Sequence, residues 1–303
     1  MPAPRILLAG ATGAIGRALL PLLREGGYRI RTLSQSTERA RALPAAADEV
    51  VVADATERAA LVGVTTGVDV VVSCLGASVN VEMGDRRPFS AVDTVANSNL
   101  LSLAISANVR RFVYVAAHVE PGYANTRYVT AHEAFVAKLR ASGMPATVVR
   151  PTGLFTAFRA LLPMAAQGRM VVIGDGLSRT NPVHPADVAA ACFGVLAEGP
   201  PDLPVGGPDV LTRAEIARAA FSAVHVPAKL THVAPWLFRS SARAVRLVNP
   251  RLGELLDFAA RVAVVDAIAP KVGKERLDDY LRREWALSER PANEPSLGAA
   301  RGA

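Results

Sequence analysis

A short apolar run, Ile6-Leu-Leu-Ala9, leads directly into three glycines, Gly10, Gly13 and Gly16, and then into an apolar helical pattern at Ala18, Leu19, Leu22 and Leu23. The order is strand, tight turn, helix, and it limits what the rest of the chain can be. Glycine reaches positive φ and leaves no Cβ between backbone and ligand. The helix that follows offers free N–H groups and the positive end of its dipole, which suits a phosphate. The spacing is G-x-x-G-x-x-G, not the G-x-G-x-x-G of the ordinary dinucleotide fingerprint. Glycines in this number also serve turns that bind nothing. The strand before them and the helix after them are what point to a phosphate ligand.

Strand and helix patterns alternate through the first half of the chain. Apolar, β-branched runs predict strands at about 5–9, 28–33, 49–53, 68–74, 111–116 and 145–150. Helices are expected at about 14–26, 37–43, 56–62, 89–108, 128–142 and 154–167. Such alternation implies right-handed crossovers and a doubly wound parallel α/β sheet with helices on both faces. Val50-Val-Val52 and Val68-Asp-Val-Val-Val72 are near-continuous apolar strands, as a sheet covered on both sides requires. Asn125-Thr126 and Thr130-x-x-Glu133 offer N-terminal caps for the helix before Gly143.

Beyond residue 150 the alternation becomes irregular, with helices expected at about 185–198 and 212–224 and a long helical stretch from about 235 to 267. The expected organisation is a dinucleotide-binding core over 1–153, a second part over 154–286 that partly returns to the core and partly forms a substrate lobe, and a flexible tail over 287–303.

Composition removes several classes. Hydrophobic residues are 50% and charged residues 20% of the 303, which fits a globular chain. No apolar run approaches the ~20 residues of a membrane span. The N-terminal apolar run is too short for a secretion signal, so a cytoplasmic protein is expected. The net charge of +7 is spread along the chain without a Lys/Arg block, so no nucleic-acid partner is expected. Cys74 and Cys192 both lie in apolar contexts and read as buried free thiols, with no metal site.

The segment after the second strand bears on the cofactor. A site for NAD carries an acid about 20 residues after the glycines, to bond the ribose 2′-hydroxyl. Here that position holds Ser34 and Gln35, with Arg31 and Arg39 nearby. Hydroxyl, amide and guanidinium groups suit a 2′-phosphate, which an acid would repel, so NADP is expected over NAD. Asp54 ends the third strand, where it can meet the adenine or cap the next helix.

Six stretches in order carry a family resemblance: Gly10-Ala-Thr-Gly-Ala-Ile-Gly16 with Asp54, Val70-Val-Val-Ser-Cys-Leu-Gly76, Val109-Arg-Arg-Phe-Val-Tyr-Val115, Val148-Val-Arg-Pro-Thr-Gly153, Val183-His-Pro-Ala-Asp-Val188 and Gly206-Gly-Pro-Asp-Val-Leu-Thr-Arg-Ala-Glu-Ile216. Together they resemble the atypical short-chain dehydrogenases/reductases of the NmrA-like kind, over about residues 1–285. The resemblance implies a Rossmann sheet with a small C-terminal substrate lobe. It implies that Thr12, Gly13, Ala14, Ile15 and Gly16 hold the pyrophosphate. Ser34, Gln35 and Arg39 would face the adenosine ribose, and Asp54 and Ala55 the adenine. Leu75, Gly76 and Ala77 would line the middle of the cofactor, and Pro151 and Thr152 would lie beside the nicotinamide.

The chemistry departs from the wider superfamily, whose active members pair Tyr-x-x-x-Lys with an upstream serine. An ammonium one helical turn away stabilises tyrosinate and lowers the tyrosine pKa. Here the spacing survives as Tyr128-Val-Thr-Ala-His132, with histidine for lysine. A histidine is mostly uncharged at neutral pH and assists the phenol less. The serine position falls at Ala116 or Ala117, and the superfamily's helix asparagine at Asp93. Tyr123-x-x-x-Arg127 repeats the spacing but precedes the expected helix, and His118, Glu120, His184 and Asp187 are expected in loop or cap roles. The segment 236–248 reads as a basic amphipathic helix, with Arg239, Arg243 and Arg246 at helical spacing, packed on the sheet edge with its arginines outward; contact with a membrane surface and the lining of an apolar substrate pocket are the alternatives.

The expected function is hydride transfer between NADP and a small organic substrate, with Tyr128 moving the proton. Two alternatives use the same scaffold: an epimerase, and a non-catalytic NAD(P)-binding redox sensor or regulator that acts through a partner. Nothing in the residues indicates an oligomeric state.

Overall fold

The computed structural model describes residues 3–41, 43, 47–76 and 87–289. Its first half follows the expected alternation. In chain order it contains β1 (Arg5–Ala9), α1 (Ala14–Glu25), β2 (Arg29–Ser34), α2 (Thr37–Arg41), β3 (Glu49–Val52), β4 (Val70–Ser73), α3 (Val95–Ser106), β5 (Arg111–Val115), α4 (Arg127–Ala141) and β6 (Ala146–Pro151). The helix expected at 56–62 is a single 3-10 turn, Arg58–Leu61, and α3 is entered through a wide turn, Ser90–Thr94. Thr126 caps α4 by accepting from the Val129 amide.

The second half contains α5 (Phe155–Phe158), α6 (Leu161–Ala166), β7 (Met170–Ile173), β8 (Arg179–Thr180), α7 (Pro185–Gly194), β9 (Asp202–Val205), β10 (Leu211–Thr212), α8 (Arg213–Ala223), β11 (Leu230–Val233), α9 (Pro235–Val248), α10 (Pro250–Val262) and α11 (Leu277–Ser288). Seven parallel strands form one sheet in the order β3-β2-β1-β4-β5-β6-β9. The order reverses between β1 and β4, which opens a crevice above their C-terminal ends.

Strand alternation splits the core into two layers. Ile6 and Leu8 face α1 and α7 beside Leu19, Leu23, Val188 and Cys192. Leu7 and Ala9 face α3 and α4 beside Leu100, Phe112 and Phe135. Each of these large side chains is fully buried, which stabilises the fold by about 2 kcal/mol per residue. A third cluster joins α5, α6, α8 and α11 around Phe155, Phe221 and Leu281. Both cysteines are free thiols.

Four sequence expectations are revised. The long helix over 235–267 is two helices, because Asn249 ends α9 and its side chain caps α10 by accepting from the Leu252 amide, with Pro250 in the first turn. The helix over 154–167 divides into α5 and α6. The last helix runs through Ser288, past the expected start of the tail, and residues 290–303 lie outside the described residues. Finally, α9 packs on α10, not on the sheet edge; Arg243 and Arg246 do point outward, but so do Trp236, Leu237, Leu247 and Val248.

Candidate active site

The glycine turn sits at the crevice. Gly10 has φ +81°, and a Cβ there would lie 2.6 Å from the Cys74 carbonyl oxygen. The β1 and β4 loops therefore touch through backbone alone. A Cβ on Gly16 would strike the Gly10 carbonyl and come within 2.7 Å of the Ala11 Cα. The Gly13 amide donates to the Gly10 carbonyl at 3.0 Å, closing the turn. No side chain caps α1, and no acid lies in its first turn. Gly13 and Ala14 are exposed, whereas Ile15 and Gly16 are buried beneath them. Such a turn could hold a phosphate: its amides are uncapped, a helix dipole points at it, and no Cβ stands in the way.

A polar cluster stands at the ends of β2 and β3. Gln35 Nε2 donates to Asp54 Oδ2 at 3.2 Å, and Arg39 Nη1 donates to Gln35 Oε1 at 3.5 Å. Arg87 Nη1 lies 3.5 Å from Asp54 Oδ2 and donates to the Thr56 hydroxyl at 3.3 Å. Asp54 Oδ1 accepts from the Thr56 amide at 2.9 Å, so the same carboxylate caps the turn and faces Gln35. Burial pushes the Asp54 carboxyl up, but the Thr56 and Gln35 hydrogen bonds and the Arg87 charge outweigh it and hold the group below the usual range. Ser34 is buried and its hydroxyl donates to the Ser36 carbonyl, so it shapes the loop. Ala55 is also buried and its carbonyl accepts from Asn99.

Arg31 does not belong to this cluster. It pairs with Glu49 at 2.6 Å and donates to the carbonyls of Gly63, Val64 and Thr66. It lies three residues before the strand end, about 10 Å from the tip at the rise of a strand.

At the other end, polar and aromatic groups gather from the loop after β4, from β5 and from α4. Ser73 donates to Asn97 Oδ1, and Asn97 Nδ2 donates to the Leu75 carbonyl at 3.3 Å and the Asp93 carbonyl at 2.7 Å. Asn97, one turn beyond Asp93, thus braces the β4 loop. A Cβ on Gly76 would lie 3.4 Å from Asp93 Oδ1 and 3.9 Å from His132 Cε1. Ala77 lies outside the described residues.

His132 is buried and shares a 2.6 Å hydrogen bond between its Nδ1 and the Tyr114 hydroxyl. Burial, aided by the Arg150 charge, lowers its pKa from 6.5 to about 4, so the ring is neutral at physiological pH. Tyr128 stacks edge-on against His132 at 4.8 Å and Phe89 at 5.0 Å, with Phe258 of α10 at 4.7 Å. Burial, with the Asp93 charge, raises its phenol pKa above the usual value. The phenol is therefore protonated at neutral pH, the opposite of a tyrosinate held beside lysine.

The remaining candidates fall into place around this pair. Pro151 ends β6, and its carbonyl accepts from the His118 amide. The Thr152 hydroxyl donates to the Asn181 carbonyl at 2.5 Å. His118 bonds Glu120 at 2.9 Å, and Tyr123 precedes α4 and donates to the His118 carbonyl. Arg127 reaches Glu254 at 3.7 Å. His184 caps α7 and Asp187 accepts from the Lys274 and Glu275 amides, as expected of loop anchors. The side chains of Ala116 and Ala117 provide no hydroxyl after β5. Sequence reasoning missed Arg87, Phe89, Asn97 and Phe258. Only Asn97 had a signal, its i+4 spacing from Asp93.

Comparison with known proteins identifies a family and a fold. The profile of a family described as NAD(P)H-binding matches residues 10–199. No curated protein matches the sequence significantly. Among solved structures, an Escherichia coli NADPH-dependent quinone oxidoreductase complexed with NADPH superposes with a TM-score of 0.72 at 19% identity, covering 92% of this chain and 99% of that one. A UDP-Glc/GlcNAc 4-epimerase from Campylobacter jejuni gives 0.70 at 15%, covering 94% and 98%. A nucleoside-diphosphate-sugar epimerase from Staphylococcus aureus gives 0.68 at 16%, covering 92% and 99%. At these identities the likeness is one of fold.

Proposed function

The chain belongs to the NAD(P)H-binding family, and from that premise we propose that it is an NADP-dependent oxidoreductase that reduces a carbonyl group on a small organic substrate. One observation carries the reading. The open glycine cradle at the sheet's reversal point leads to a cluster in which Arg39 and Arg87 stand where an NAD site would present an acid to the ribose. Thr12 to Gly16 would hold the pyrophosphate, Gln35, Arg39 and Arg87 the 2′-phosphate, Asp54 and Ala55 the adenine, and Leu75, Gly76, Pro151 and Thr152 the nicotinamide side.

The bound dinucleotide supplies hydride. Tyr128 gives its phenolic proton to the substrate oxygen, so the carbonyl becomes an alcohol, and water restores the phenol. Neutral His132, held by Tyr114, keeps the Tyr128 ring in place without charging it. The raised phenol pKa keeps the proton on Tyr128 at neutral pH, the state from which donation starts. An epimerase must begin by removing a proton from its substrate alcohol, which a half-buried phenol held protonated does poorly.

The second reading is a dinucleotide sensor. Ala116 and Ala117 in place of a hydroxyl, and the packing of Tyr128 between Phe89 and Phe258, favour it. Calorimetric titration with NADPH and NADH, followed by NADPH consumption against a panel of quinones and aldehydes, tests both. Tighter NADPH binding with turnover supports the reductase. Tight binding without turnover on any carbonyl supports the sensor, equal affinities remove the 2′-phosphate argument, and absence of binding overturns both readings.

A further inference from the structure

We propose that the outward face of α9 is a docking surface for an anionic lipid membrane. Ala242 is the buried residue of this helix, with Phe238 and Val245 half-buried toward α10. On the opposite face, at helical spacing, Trp236, Leu237, Leu247 and Val248 are 67%, 48%, 88% and 77% exposed. Ser240 and Ala244 lie between them and are exposed as well. Arg243 and Arg246 border this strip on one side, and α9 contains no acid.

A surface helix that turns its apolar stripe outward is inverted relative to the ordinary amphipathic pattern. Scattered exposed leucines need no explanation, but a tryptophan and three large aliphatic side chains, paired at the two ends of one helical face about 15 Å apart, mark that face as an interaction site.

The flanking charge selects the partner. Helices that lie in a membrane interface place Trp and Leu at the boundary of headgroups and acyl chains and Arg among the phosphates. Anionic headgroups attract such a flank, and the whole chain carries a net charge of +7. A second copy is a poorer fit: a two-fold contact of α9 on α9 would set Arg243 and Arg246 against their own equivalents, with no acid on the helix to answer them. Fourteen residues span about 21 Å at the helical rise, and no helix among the described residues is long and apolar enough to cross a membrane. The helix therefore lies on the surface.

The face is also pre-arranged. Gly253 lets α10 cross α9 at backbone contact, since a Cβ there would lie 2.6 Å from the Arg246 Cα. Arg239 pairs with Asp257 across the same hairpin at 3.8 Å.

The test uses the full chain and vesicles of phosphatidylcholine alone or mixed with phosphatidylglycerol. In a Trp285→Phe background, Trp236 is the single tryptophan and reports its own environment. The expected result is co-flotation with the anionic vesicles and a blue shift of Trp236 emission, both weakened at high salt. Leu247→Glu and the double change Arg243→Glu/Arg246→Glu alter only exposed side chains, and each should lower vesicle partitioning by about tenfold or more. Circular dichroism checks that the variants remain folded. Failure to float with anionic vesicles overturns the proposal. So does binding that neither variant weakens, or a dimer in light scattering that Leu247→Glu dissociates.

Discussion

The two ends of the cofactor crevice are built by different means. At the glycine turn, geometry comes from the backbone. Gly10 touches the Cys74 carbonyl, Gly16 passes under the Gly10 carbonyl, and side chains contribute by being absent. At the Tyr128 end, geometry comes from side chains carried by separate segments. Tyr114 is on β5, Tyr128 and His132 on α4, Phe89 before the wide turn and Phe258 on α10. A backbone-built site is a local property of seven consecutive residues. A side-chain-built site exists only when the whole chain is folded, and its chemistry follows from burial.

The largest effect that would sharpen this contrast is on rate. Tyr128→Phe should slow carbonyl reduction by about 10²–10⁴-fold with NADPH affinity unchanged, as steady-state kinetics and calorimetry would read. An unchanged rate removes Tyr128 from the chemistry.

The next effect is on stability. His132 has a folded pKa of about 4 against an ordinary 6.5. The unfolded chain takes up this proton first, so stability is complete above pH 6.5 and falls as the pH drops toward 4. The loss from this group is about 3 kcal/mol, readable from denaturant midpoints across that window. His132→Gln should flatten that slope, and an equally steep slope in the variant would assign it to other groups.

Gly10→Ala tests the backbone end. Positive φ costs an alanine about 1–2 kcal/mol, and the contact with Cys74 forces the turn apart. A lowered Tm together with lost NADPH binding is expected, and normal binding would break the comparison. Smaller still, Arg39→Ala and Arg87→Ala should each weaken NADPH by about tenfold and leave NADH as it was. Equal losses for both dinucleotides would place the two arginines outside 2′-phosphate recognition.

This division also explains what could be read in advance. Strands such as β1 and β4 and the glycine turn announce themselves because buried parallel strands are continuous apolar runs and because a close turn requires glycine, whereas Val50-Val-Val52, expected to be covered on both sides, is the edge strand β3 with Val50 and Val52 exposed. β9 escaped notice because it is four residues long and contains Pro204, a residue that an edge strand tolerates. Arg31 was misplaced because distance along the chain says little about distance from a strand tip. Arg87 lies in a stretch without periodicity, and its approach to Asp54 is a tertiary fact. The basic, amphipathic character of α9 was legible, but which of its faces is covered depends on α10. The protonation of Tyr128 and His132 was not legible, since it depends on what surrounds them.

Asn181 has a mechanical consequence. Fully buried, it exchanges hydrogen bonds with Ala269 through both ends of its amide, donates to the Gly207 carbonyl, and receives the Thr152 hydroxyl on its own carbonyl. One residue thus rivets three stretches of the second half to the tip of β6. Any opening of the α9–α10 hairpin would have to pivot on the chain on either side of that rivet, which ties Thr152 at the tip of β6 in place.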